Sequence, residues 1–265
     1  GYDFSKIPPH KLRGVSAVFH QAANNDTQSS DRENMNEVNY DKPADLFNQA
    51  YDAGCRNFIY ASTAAIYGKQ NIPWYEDALP EPLTQYAISK LHFEDFADEF
   101  SCRKKCSVIG LRYCNVYGPG EDHKGKRASM IFQLAKQIME YRVKLFDTGE
   151  QKRDWVYVQD VVNANLYAAR YGFKDDPRKI RNNVFNISSS EIISYNEIVK
   201  ILDSVLGTDS DISYIPNPYK NTYQERAGSN IDMARSVLRW KPRYGIRKGI
   251  TSMIQQMFNS PLYRP

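Results

Sequence analysis

Apolar residues fall along this chain in two patterns. Short continuous runs occupy residues 15–22 (VSAVFHQA), 57–63 (NFIYAST) and 107–113 (SVIGLRY), and read as buried strands. Between them, residues 35–53 and 86–103 space their apolar positions for long helices, the first closed by Gly54. Residues 68–84, marked by Pro and Gly, form a loop. Strands alternating with long helices predict a parallel α/β sheet covered on both faces, a Rossmann-like arrangement.

The rest of the chain is less regular. Helices are expected over residues 128–141, 159–171, 194–206, 231–240 and 246–258, and extended pieces over 143–146, 155–158, 183–187 and 212–215. Ser194 and Glu197, three apart, form a capping box at the head of one helix. Asp160 reads as the cap of the helix from Val161, and Trp155 as packing. The expected division is a nucleotide-binding domain over residues 1–122 and a smaller α/β substrate lobe over 123–265, with segments of about 151–190 returning to the main sheet. A dinucleotide-binding sheet opens on a glycine-rich turn, and none is present here, so roughly the first two βα units of such a sheet are expected to be missing.

Composition narrows the function. The net charge of +4 is mild for 265 residues, and the densest basic cluster is only Lys124, Lys126 and Arg127. A nucleic-acid face would gather many more cations, whereas an anionic small molecule needs only a few. No run is long and apolar enough to cross a bilayer, and no signal-peptide pattern opens the chain, so a soluble cytoplasmic protein without a membrane partner is expected. Cys102 and Cys106 lack a second pair for zinc, and no metal site is expected.

Tyr86 and Lys90, in YAISK, stand four apart and share a helix face. An ammonium beside the phenol would bring the Tyr below its usual value of about 10 and let it take a proton from a sugar hydroxyl. Thr63 ends an apolar strand in YASTAAIYG, where open α/β sheets bind ligands, and its hydroxyl could share that proton. Ser62 could serve instead. Strand-ST, loop and YxxxK together are far more specific than YxxxK alone.

The order HQAA, YASTAAIYG, YAISK, LRYCNVYGPGE and KRDWVYVQDV resembles the extended short-chain dehydrogenase/reductase family of nucleotide-sugar epimerases and dehydratases. Within it, HKGKRASM at residues 123–130, KLF at 144–146, GEQKRDWVYV at 149–158 and YIPNPY followed by Tyr223 and Gln224 resemble the branch acting on ADP-linked heptoses. The resemblance implies NADP or NAD as cofactor and a nucleotide sugar, ADP-heptose, as substrate, with the product feeding lipopolysaccharide inner core or a related surface glycan. It implies that His20, Ala22, Ala23, Asn39, Ser62, Tyr113 and Val116 line or support the cofactor together with Tyr86 and Lys90. Thr63, Tyr86 and Lys90 become the catalytic trio, and Lys124 a second acid/base on the opposite sugar face. Asn115, His123, Lys124, Phe146, Lys152, Arg153 and Tyr223 would meet the substrate. Inversion at one carbon requires hydride to leave one face and return to the other, and a proton donor on each side satisfies both geometries. Arg153 could pair with Asp154 or Glu150 on the surface, or clamp phosphate oxygens.

Other members of the family, such as UDP-hexose 4-epimerases and 4,6-dehydratases, would share Thr63, Tyr86 and Lys90. A dehydratase places acidic residues after the catalytic hydroxyl, where Ala64 and Ala65 stand here. A non-catalytic nucleotide-sugar-binding protein is the alternative of a different class. The helices at residues 35–53 and 86–103 resemble the pair through which such enzymes dimerise, so a homo-oligomer, at least a dimer, is expected.

Overall fold

The computed structural model describes residues 7–174, 184–219 and 223–259. Its main sheet has four parallel strands in the order β1 (Val18–His20), β2 (Asn57–Thr63), β3 (Ser107–Tyr113) and β7 (Val184–Ile187). β2 and β3 run in register from Asn57 opposite Ser107 to Thr63 opposite Tyr113, so the Thr63 and Tyr113 ends emerge together. Gly110 lies under the Tyr60 ring, and a Cβ there would stand 2.5 Å from the Tyr60 hydroxyl. The strand expected over residues 15–22 is shorter, Val18–His20, because only those three residues find partners on β2. Asn183 falls outside the described residues.

One face of this sheet carries two helical runs and the short α1 (Pro9–Leu12), whose Leu12 joins their core. The stretch read as a single helix is α2 (Arg32–Asn36) and α3 (Lys42–Asp52) joined through a π turn, Glu37–Asp41. The π turn holds Asn39 in the interior, where its amide donates to the Asn24 carbonyl at 2.9 Å and the Ser89 hydroxyl at 3.0 Å. Polar groups inserted in a helix are a recurrent cause of such turns. The long helix α4 (Gln85–Lys104) starts at Thr84, whose side chain accepts from the Ala87 amide, and ends at left-handed Lys105. Its inward face includes Ala87, Lys90, Phe93, Glu94, Ala97 and Phe100 at helical spacing, packed with Phe47 and Phe58.

The other face of the sheet is covered by α6 (Val158–Lys174). This helix begins at Val158, directly out of β6 (Lys152–Tyr157), so Asp160 is not its cap. With no break between strand and helix, Asp160 lies in the first turn and accepts from the amides of Arg243 and Tyr244, both at 3.0 Å. β6 pairs with β4 (Asn115–Tyr117), β10 (Arg226–Ala227) and antiparallel β8 (Ile192–Ser194), forming a second sheet. A third, of β5 (Val143–Phe146) and β9 (Ile212–Ile215), lies beyond it. Trp155 is packed in the core shared by α5 (Met130–Met139), α7 (Tyr195–Leu206) and α8 (Ile246–Asn259). The capping box forms at Ser194 and Glu197. The helix expected over 231–240 is a short helical stretch centred on a π turn, Ala234–Leu238, stopped by left-handed Arg239.

Candidate active site

A cleft of about 790 Å³ opens where the carboxyl ends of β2 and β3 meet the start of α4. Thr63, Tyr86 and Lys90 all line it, with Ala22, Ala23, Ser62, Tyr113, Asn115, Val116, His123 and Lys124. The Thr63 side chain accepts from the Ala65 amide at 3.1 Å and is hydrogen-bonded to the Tyr86 hydroxyl. Ser62 points its proton elsewhere, donating to the Glu94 carboxylate. Of the two neighbouring hydroxyls, Thr63 is the one coupled to Tyr86.

The electrostatics of the pair differ from the expectation. Burial raises the Tyr86 phenol above its ordinary value, and the Thr63 hydrogen bond only partly opposes this. Lys90 is 1% exposed. Burial brings its ammonium down to about 8, against the pull of Glu94. Sharing a helix face is not sufficient for the ammonium to stabilise the phenolate, because the same enclosure disfavours both charges. The charge of Lys90 is felt instead at His20, whose imidazole burial and Lys90 together hold down at about 4. Lys90 Nζ has no hydrogen-bond partner among the described residues. An enclosed ammonium with open donors, on the wall of a cleft, fits the vicinal hydroxyls of a nicotinamide ribose.

Beside the trio, three side chains close a ring. Tyr113 donates to Gln21 Oε1 at 2.8 Å, Gln21 donates to Asn165 Oδ1 at 2.9 Å, and Asn165 donates back to the Tyr113 oxygen at 2.8 Å. This ring fixes the loop after β1, where Ala22 and Ala23 present little bulk to the cleft. His20 itself turns inward against the Phe47 and Phe93 rings, and Asn39 is buried behind that loop.

Lys124 lies on a 3-10 stretch, Asp122–Arg127, that has no buried residue. Its ammonium is 3.2 Å from Glu121 Oε2, with 42% of the side chain exposed. Glu121 also accepts from the Gly118 amide and from both the amide and hydroxyl of Ser129, and so ties β4, the 3-10 stretch and the head of α5 together. Glu121 lines the cleft and was not singled out from the sequence; only its place after YGPG could have marked it.

Arg153, Phe146, Lys152 and Tyr223 do not line this cleft. They gather next to it. The Arg153 guanidinium stands 4.8 Å from the Tyr223 ring centre and 5.8 Å from that of Tyr195, and Phe146 meets Tyr223 edge-on. Tyr195, also unforeseen, lines the cleft and links the two groups. Arg153 is 6% exposed and has no ion-pair partner among the described residues. Asp154 does not pair with it: its carboxylate is buried and accepts from the amides of Ser190 and Ser229 and the Ser189 hydroxyl. No group of three or more His, Cys, Asp or Glu among the described residues could hold a metal ion. No described helix is long and apolar enough to cross a membrane.

A Rossmann-like parallel sheet with a Thr–Tyr–Lys cleft at its carboxyl edge defines a class of nicotinamide-dependent enzyme. The model of the NAD dependent epimerase/dehydratase family matches residues 9–188, and this chain belongs to that family. A curated relative, the ADP-L-glycero-D-manno-heptose-6-epimerase of Brachyspira hyodysenteriae, is 34% identical over 256 residues, spanning 94% of this chain and 78% of that protein. The crystal structure of the Helicobacter pylori ADP-L-glycero-D-manno-heptose-6-epimerase superposes with a TM-score of 0.83 at 33% identity, over 98% of this chain and 79% of that one. A UDP-glucose 4-epimerase from Thermotoga maritima superposes at 0.85 with 27% identity, over 98% and 84% of the two chains.

Proposed function

We propose that the protein inverts C6 of the heptose in an ADP-linked glycero-manno-heptose through a 6-keto sugar, with NAD or NADP bound. The observation that carries this reading is a cleft with a proton-transfer group on each of two unlike walls: Tyr86 with Thr63 on one, Lys124 on the other. The likeness to two heptose epimerases supports the choice of sugar. The cofactor supplies acceptance and return of hydride.

Tyr86, in its phenolate form, takes the proton of the C6 hydroxyl and becomes the phenol, and Thr63, already hydrogen-bonded to it, steadies the phenolate beforehand. Lys90 holds the ribose hydroxyls and adds a nearby positive charge. Once the keto sugar has turned, Lys124 supplies the proton on the other face. Arg153, stacked against Tyr223 and Tyr195, binds the diphosphate, and Asn115, His123, Phe146 and Lys152 complete the sugar and nucleotide contacts. Residues 1–122 mainly carry the cofactor and 123–265 mainly the substrate. α2, α3 and α4 form the contact of a homo-oligomer, at least a dimer.

The test offers ADP-D-glycero-D-manno-heptose to the purified protein with NAD or NADP and reads C6 by NMR. Inversion that is lost in Lys124→Ala is the expected result. Tight cofactor binding without inversion of this sugar, but with turnover of a UDP-hexose, would move the assignment to the 4-epimerases.

A further inference from the structure

Glu94 takes no part in the chemistry described above, yet it lies at the centre of a buried polar network behind the cleft. It follows Tyr86 and Lys90 at the next helical turn of α4, so the three share one face. Its carboxylate is 7% exposed and meets Arg112 in a two-pronged pair: Nε to Oε1 at 3.0 Å and Nη2 to Oε2 at 2.7 Å. The Ser62 hydroxyl donates to the same Oε1. Arg112 reaches on to the Tyr67 hydroxyl at 2.8 Å and the Glu76 carbonyl at 2.9 Å. Ser62 and Arg112 are direct neighbours across β2 and β3. One carboxylate therefore fastens α4 to both strands at the point where Thr63, the residue after Ser62, enters the cleft.

An ion pair in this position is costly to desolvate and weak as a source of net stability. What it supplies is placement. We propose that Glu94 is a positioning residue for the Tyr86–Lys90–Thr63 group, locking helix to strand ends through Arg112 and Ser62 and placing a carboxylate one helical turn beyond the Lys90 ammonium. This rests on the catalytic reading given above.

The groups facing this assembly agree with it. Lys90 sees His20 from β1 and Glu94 from its own helix. Glu94 in turn faces Arg112 from β3 and the Tyr60 hydroxyl from β2, with Asp95 and Asp98 on the outer side of α4. His20 is held toward its neutral form, so Glu94 is the acidic group that opposes the loss of charge from Lys90.

Two variants test the proposal. Glu94→Gln removes the charge and keeps the shape, but leaves Arg112 buried without a carboxylate. The paired replacement Glu94→Met with Arg112→Met removes both charges together and keeps the interior apolar, which preserves folding where the single change does not. In each, the titration of Lys90 is read directly from its side-chain NMR resonances across a pH series, on the full chain without substrate. Turnover is followed over the same series. The wild type should titrate near pH 8. Both variants should titrate below the wild type, Glu94→Gln the further because it leaves the Arg112 charge unopposed, and the high-pH loss of turnover should move down with Lys90. The substrate KM should stay within about twofold while kcat falls about tenfold, because Glu94 touches no substrate. A folded paired variant whose Lys90 titrates as in the wild type, with an unmoved pH profile, overturns the proposal. A shifted Lys90 in a protein that turns over no ADP-heptose upholds Glu94 as the control on Lys90 and sinks the functional reading instead.

Discussion

The two walls of the cleft are built in opposite ways. On the Tyr86 wall, Lys90, Glu94 and Arg112 are all nearly inaccessible, and Glu94 and Arg112 are locked between a helix and two strands by charge-assisted hydrogen bonds. On the Lys124 wall the acid/base candidate is exposed, lies on a short 3-10 stretch without a buried residue, and is held by one carboxylate. The contrast matches the two tasks that the proposed mechanism sets. The first wall must hold a fixed cofactor and a fixed oxygen in one geometry. The second must admit a sugar and serve it after it has turned. Rigid placement suits the first, and a tethered side chain on an exposed 3-10 stretch suits the second.

That comparison can be broken by substitution, beginning where the largest effect is expected. Tyr86→Phe removes the proton acceptor from the rigid wall and should cut kcat by about 10³ or more, while cofactor affinity, measured by calorimetry, changes little. Lys124→Ala removes its counterpart and should cost about 10² in inversion. Its distinguishing readout is pre-steady-state absorbance of reduced cofactor: one epimer should still reduce the cofactor at near wild-type rate and the other should not. Equal losses with both epimers would contradict a division of labour between the walls.

Effects on stability are smaller. Burial raises the Asp154 carboxyl to about 6, above the unfolded value of about 3.9. A group raised on folding contributes stability that is complete below its unfolded value and is lost as pH rises through its folded one. The wild type should therefore lose on the order of 2 kcal/mol between about pH 4 and pH 7 relative to Asp154→Asn, read as the change in their melting-temperature difference. Ser194→Ala opens the capping box at the head of α7 and should cost about 1 kcal/mol, with turnover unchanged.

Much of this molecule was legible along the chain. β2 and β3 fall on the residues whose apolar runs announced them, because a strand buried on both faces leaves little room for other readings; β5 and β9 also fall where expected, although Lys144 and most of β9 are exposed. Thr63, Tyr86, Lys90 and Lys124 lie on one cleft, as the motif order implied. What stayed hidden depends on three-dimensional neighbours. The π turn at Glu37–Asp41 follows from where the Asn39 amide finds partners, on Asn24 and Ser89. Asp160 seemed a cap because its helix partner was visible locally, whereas its amide donors come from Arg243 and Tyr244, more than eighty positions on. The Tyr86 phenol rises where spacing alone promised a fall, since spacing carries no information on burial. Glu121 and Tyr195 carry no motif of their own; they matter through what they hold, Lys124 and Arg153.

In the proposed reaction C6 inverts by hydride leaving and returning, with proton transfer confined to oxygen at the two walls. The most direct test is to incubate the protein with ADP-D-glycero-D-manno-heptose in D2O and read C6 by proton NMR. The second epimer should accumulate with its C6 hydrogen retained as protium, because the hydride never exchanges with solvent. Deuterium appearing at C6 would show direct deprotonation of the carbon, and no second epimer at all would remove the sugar assignment; either result rules out inversion of this sugar by hydride return.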